Sequence, residues 1–127
     1  MPVHGIGGLF FRARDPEALG AWYKTHLGVG AGFGPNGEQT GDAFVWQTAA
    51  GPVVFAPFEA TTDYLPANKQ WMLNLRVSDL DGLVDRLSRA GISVERRAAW
   101  DTPETGRFAR IADPEGNAIE LWEPPAA

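Results

Sequence analysis

Residues 107–124 read RFARIADPEGNAIELWEP, and this stretch decides the fold. Two short apolar runs flank Asp113-Pro114-Glu115-Gly116-Asn117. Proline presets one backbone angle, while Gly and Asn tolerate the left-handed region, so the five residues are strong turn chemistry. Phe108 to Ala112 and Ala118 to Trp122 therefore read as the two strands of one hairpin. Side chains alternate along a strand, so Ile119 and Leu121 share one face, and Ala118, Glu120 and Trp122 share the other. A carboxylate in mid-strand either meets solvent or sits in a pocket, and the remainder of the chain must decide which.

Upstream, residues 72–78 read MLNLRVS. Leu73, Leu75 and Val77 form an apolar set opposed by Met72, Asn74, Arg76 and Ser78, the period-two pattern of a strand. Asp79 then caps a helix whose stripe is Leu80, Leu83, Val84 and Leu87, ending at Ala90-Gly91. A short strand over Ile92 to Arg97 and a loop over Ala98 to Thr105 lead into the hairpin.

The same pattern occurs earlier in the chain. Residues 8–14, GLFFRAR, alternate Leu9, Phe11 and Ala13 against Gly8, Phe10, Arg12 and Arg14. Asp15-Pro16-Glu17 opens a helix with an N-cap, a proline at the first helical position and an acid suited to the dipole. Leu19, Trp22, Tyr23 and Leu27 supply its stripe, and Gly28 terminates it. Val29 to Asp42, rich in Gly and carrying Pro35-Asn36-Gly37, reads as a loop or a short strand with a mobile tip. Ala43 to Thr48 and Pro52 to Phe58 read as strands, and Glu59 to Gln70 as a linker. An offset of 64 superposes Gly8 on Met72, Arg12 on Arg76, Asp15 on Asp79 and Leu19 on Leu83. Two copies of strand, helix and strands predict one pseudo-symmetric α+β domain, with units near 5–58 and 70–124. Each helix must cover one sheet face. The sets 9/11/13, 73/75/77 and 119/121 are expected there, which puts Phe10, Arg12, Asn74, Arg76, Glu120 and Trp122 on the opposite, concave face.

Composition narrows the partners. The 127 residues are 44% hydrophobic and 21% charged, one ordinary globular domain. A formal charge of −5 argues against a nucleic-acid partner. No apolar run reaches bilayer length, so no membrane is expected. The absence of cysteine removes thiolate chemistry and fits a cytoplasmic protein. Five Trp and seven Phe suit either a rich core or an aromatic pocket.

The segments GGLFFRARDPEALGAWYKTHLGV (7–29), LRVSDLDGLVDRLSRAGISV (75–94) and the closing RFARIADPEGNAIELWEP resemble the glyoxalase/bleomycin-resistance/dioxygenase, or vicinal oxygen chelate, superfamily. That resemblance implies paired βαβββ units forming a curved, cup-shaped mixed sheet with outer helices, often completed in a homodimer. Metal-dependent members hold a divalent ion with His and Glu from both units. Here the corresponding positions carry Gly8, Met72 and Val53 or Phe55, and only Glu120 is a ligand type. Gly and Val offer no donor and a thioether suits hard ions poorly. No metal and no cofactor is expected.

The expected ligand is a small, planar or anionic organic molecule. Glu120 reads as a general acid/base or as a salt-bridged structural carboxylate. Arg12, Arg76 and Arg110 are its candidate partners, or grips for an anion. A buried Asn74 needs a partner. Phe10, Trp46, Phe55, Trp100, Phe108 and Trp122 are candidates for an aromatic cavity, with core or dimer packing as the plainer reading. His4 lies about 13 Å of extended chain from Gly8, and His26 suits a helix C-terminus, so both read as structural. Function divides between metal-independent sequestration and Glu120-driven proton transfer of isomerase or lyase type. A metal-dependent lyase or dioxygenase with unconventional ligands, and a non-catalytic interaction module, are the alternatives.

Overall fold

A computed structural model describes residues 2–30 and 46–126. Their order is α1 (Pro16–Leu27), β1 (Leu73–Arg76), α2 (Leu80–Arg89), a 3-10 turn over Ala98–Trp100, β2 (Arg107–Ala112) and β3 (Ala118–Glu123).

Both helices start where local chemistry says they should. Asp15 accepts from Ala18 N–H at 3.1 Å, and Asp79, 64 residues later, accepts from Gly82 N–H at 3.2 Å. Each side chain satisfies a donor that the first helical turn leaves unpaired. Asp79 itself is left-handed, at φ 51°, a conformation that short polar residues tolerate better than most. A Cβ on Gly82 would meet the Asp79 carboxylate, which would have to shift to make room for it. Gly28 closes α1 at φ 67°, its N–H reaching Lys24 O at 3.1 Å while Val29 N–H reaches Tyr23 O at 3.2 Å. This is a Schellman-type ending.

The three strands form one open mixed sheet in the order β1-β3-β2. β3 lies between, parallel to β1 and antiparallel to β2. The register puts Leu73 beside Ile119, Leu75 beside Leu121, and Ala109 and Ile111 across from Leu121 and Ile119. That face meets Leu80 and Leu87 of α2 and Leu19 and Tyr23 of α1 in one core. Leu80, Leu87, Ile119 and Leu121 are fully buried, each contributing about 1.5–3 kcal/mol relative to exposure. Leu80 N–H also donates to Glu123 Oε1 at 2.8 Å, tying α2 to the end of β3. Expected segment 92–97 contributes a single bridge, Glu95 to Arg110.

The first unit departs from expectation. Residues 8–14 and 52–58 form no strand, and 46–48 are likewise irregular; 43–45 and most of the expected 29–42 loop lie outside the described residues. Leu9 and Phe11 are exposed rather than packed beneath α1. The physical reason is that alternation specifies two faces but not the neighbour whose backbone a strand must pair with. The described residues therefore build a small α+β fold on one sheet, and the helices preserve the repeat that the strands do not show.

Candidate functional site

The site grows from the face of the sheet opposite the core. Asn74, Glu120 and Arg110 sit side by side across β1, β3 and β2, with Arg76, Trp122 and Phe108 as the adjacent row. Glu120 is 9% exposed. A carboxylate this buried requires donors, and it has them. Asn74 Nδ2 donates to Oε1 at 2.7 Å, and the Tyr64 hydroxyl makes a short hydrogen bond to Oε2.

Tyr64 arrives from the linker. Thr62 N–H reaches Glu59 O at 3.0 Å and Tyr64 N–H reaches Thr62 Oγ1 at 3.2 Å, two local turns that aim the ring inward. Its ring meets Phe58 and Trp100 edge-on, at centroid distances of 5.9 and 6.2 Å. The Arg110 guanidinium lies 5.0 Å over the same ring, a cation–π contact. Arg97 covers Trp100 in the same way at 5.6 Å. Burial, then the hydrogen bond and charge of Glu120, hold the Tyr64 phenol well above its ordinary range, with Arg110 opposing.

Loop 98–106 fixes the aromatic wall. Thr102 and Gly106 exchange backbone hydrogen bonds of 3.1 and 2.8 Å. Gly106 has φ 103°, and a Cβ there would collide with the backbone of Glu123, so only glycine fits. Trp122 Nε1 then donates to Thr105 O at 2.8 Å, and its ring stacks parallel to Phe108 at 6.5 Å. Between loop and linker lies a cavity of about 870 Å³ whose lining includes Phe58, Asp63, Tyr64, Trp100, Phe108 and Glu120.

The sequence profile of the glyoxalase-like domain matches residues 8–122. The chain belongs to this family. Among solved structures, this glyoxalase-like domain is similar to TnmS3, an antibiotic binding protein from Streptomyces sp. CB03234, at 22% identity, 98% coverage of both chains and a TM-score of 0.56. It is also similar to a glyoxalase/bleomycin resistance protein from the same organism, at 24% identity, 86% coverage of this chain and 91% of the other, and a TM-score of 0.45. No protein of curated function matches the chain.

The divalent ion of the wider superfamily is a poor fit to these residues. The groups on Glu120 are a phenol and a carboxamide, both spending their hydrogens on it, and neither is the imidazole or second carboxylate that such an ion takes. Among the described residues no three His, Asp or Glu side chains converge. No step is therefore derived through a metal.

The expected site residues divide into two groups. Glu120, Asn74, Arg110, Phe108 and Trp122 lie on one face, as the alternation implied, and the loop residue Trp100 lines the cavity beside it. Arg76 turns away to donate to Ala49 O at 2.9 Å, and Arg12 is exposed. Phe10 and Phe55 are 93% and 82% exposed, and Trp46 is also at the surface. His4 is exposed, and His26 packs beside Trp22 with ring centroids 5.4 Å apart. Tyr64 and Phe58 complete the cavity without having been anticipated. The available signal was a pair of aromatics bracketing a polar stretch, Phe58 at the end of an expected strand and Tyr64 in what reads as a linker.

Proposed function

We propose that this glyoxalase-like domain binds a small planar aromatic molecule in the cavity over Glu120, without a metal, as a cytoplasmic homodimer. The observation that carries the reading is an open cavity of about 870 Å³ in which Phe58, Tyr64, Trp100 and Phe108 stand around one carboxylate, with the threonines and acids of 59–63 at its side. Aromatic walls beside a few polar groups that orient the ligand are the usual make-up of a small-molecule site. Binding is favoured over catalysis because both Glu120 oxygens are already engaged. Sequestration of an antibiotic is one form of this reading, since TnmS3, which shares the fold, is an antibiotic binding protein.

The second copy is supported by Phe10, Val53, Val54, Phe55 and Trp71, all strongly exposed. Apolar surface on this scale marks an interaction surface. Segments 8–14 and 52–58 carry strand patterning and, among the described residues, pair with no strand.

Titration with N-phenyl-1-naphthylamine, a neutral aromatic probe, followed by fluorescence, tests the cavity. Trp100→Ala should weaken its binding about tenfold, as loss of a stacking wall does. Unchanged affinity in that variant would place the probe elsewhere and remove the support. The Tyr64–Glu120 contact keeps a second reading in view, proton transfer between a substrate and Glu120. Turnover that Glu120→Gln abolishes while affinity persists would establish it.

A further inference from the structure

Among the described residues, one hydrogen bond joins segment 57–64 to the sheet, and it is made by the Tyr64 hydroxyl. Residues 57–61 are exposed, and the segment's other hydrogen bonds are its own turns. Among the described residues, segment 57–64 is thus a strap held to the sheet by a single polar anchor and a few ring contacts.

That anchor has the form of a bound molecule. It is an aromatic ring with Trp100 at its edge, a guanidinium over its face, and one O–H delivered to a buried carboxylate. Every element of a recognition site for a phenol is present, and a side chain of the same protein occupies it. The charge of Glu120 selects a donor there. An ether oxygen or an anion in that place would face the carboxylate with nothing to offer it.

We infer that Tyr64 is an internal stand-in for the ligand: the site takes a neutral aromatic ring carrying a phenolic O–H, which displaces the Tyr64 hydroxyl from Glu120 and releases strap 57–64. This rests on the proposed binding function and adds to it the ligand's chemistry and the means of admission. Entry is a competition between two like groups for one acceptor, so the protein's own phenol sets the threshold that a ligand must exceed.

The test uses 2-naphthol and 2-methoxynaphthalene, which differ in the donor, with the full chain and its Tyr64→Phe variant. Tryptophan fluorescence gives affinities, and hydrogen exchange reports on the strap. In Tyr64→Phe the ring contacts persist and the competing donor is gone. 2-Naphthol should bind about tenfold more tightly to the variant, the scale of one hydrogen bond to a charged group, while 2-methoxynaphthalene shifts less than about twofold. Amides of 57–64 should exchange faster when the intact protein binds 2-naphthol, and equally fast in the unliganded variant. Weaker binding of both probes to Tyr64→Phe would make Tyr64 a wall of the site and overturn the inference. An unchanged ratio between the probes would overturn it while leaving the binding function standing. Failure of both probes to bind either protein would remove both.

Discussion

The Tyr23 hydroxyl of α1 donates to Asp113 Oδ2 at 2.7 Å, joining residues ninety apart in sequence within the buried interior. Asp113 also accepts from Glu115 N–H, Asn117 N–H and Asn117 Nδ2, at 2.8, 3.0 and 2.7 Å. One carboxylate thus shapes the hairpin turn and fastens it to the first helix. Glu115 reinforces the joint by accepting from Arg14 and Asp15 N–H at 2.6 and 3.0 Å.

Tyr23→Phe should cost about 1.5–3 kcal/mol, the range for a hydrogen bond to a charged group, and lower the urea midpoint at unchanged slope. Burial first, then the bond and charge of Asp113, raise the Tyr23 phenol far above its ordinary 10.0. A raised folded-state value means that the unfolded chain ionises first. This contribution is therefore whole below about pH 10 and declines as pH rises beyond it. Urea unfolding at pH 8 and 11 would show a smaller decline in Tyr23→Phe than in the wild type.

The acid side depends on a different residue. Hydrogen bonds from Arg107 and then Arg96 lower the exposed Asp81 carboxyl to about 2. A depressed folded-state value gives stability that is present above the ordinary value of 3.8 and lost as pH falls towards 2. Asp81→Asn should lie below the wild type at pH 6 and converge with it near pH 2, as read from thermal midpoints. High salt should shrink the gap at pH 6, because the pair is at the surface.

Glu120→Gln separates charge from shape. A glutamine retains one acceptor and gains two donors, and both neighbours can adapt: the Asn74 amide can turn over, and the Tyr64 hydroxyl can accept. Stability should change by less than about 1 kcal/mol, whereas Glu120→Leu strands the Asn74 amide and the Tyr64 hydroxyl and should cost about 1–3 kcal/mol. Chemical denaturation of the two variants decides this; an equal loss in both would mean that the charge itself carries the stability.

Dimerisation has its own readout. Phe10→Asp with Phe55→Asp should leave α1, α2 and the sheet intact by circular dichroism, since neither side chain enters the core. Sedimentation velocity should nonetheless move from dimer to monomer. A wild-type protein that sediments as a monomer at micromolar concentration would remove the second copy.

Much of this molecule is legible in its residues, for reasons of range. The caps at Asp15 and Asp79, the end at Gly28 and the turn at 113–117 are set by neighbours within a few positions. The shared face of Asn74, Arg110 and Glu120 follows from alternation once the strands are placed. Tyr64 was not legible, because nothing nearby in sequence marks which aromatic of a linker folds back onto a distant carboxylate. Asp113 was legible as a turn residue but not as the acceptor for Tyr23. Segments 8–14 and 52–58 alternate as strands do, yet they form no strand in the structure, because pattern alone names no partner.

The sheet order β1-β3-β2 has a consequence for synthesis. β1 and β2 emerge from the ribosome first, and each hydrogen-bonds along its length to β3 rather than to the other. Until residues 118–123 leave the exit tunnel, β1 has no strand beside it, β2 has only its bridge to Glu95, and Leu75, Ala109 and Ile111 lack the Ile119 and Leu121 against which they pack. A chain that stops at the 113–117 turn is therefore without the strand on which both sides of the sheet depend.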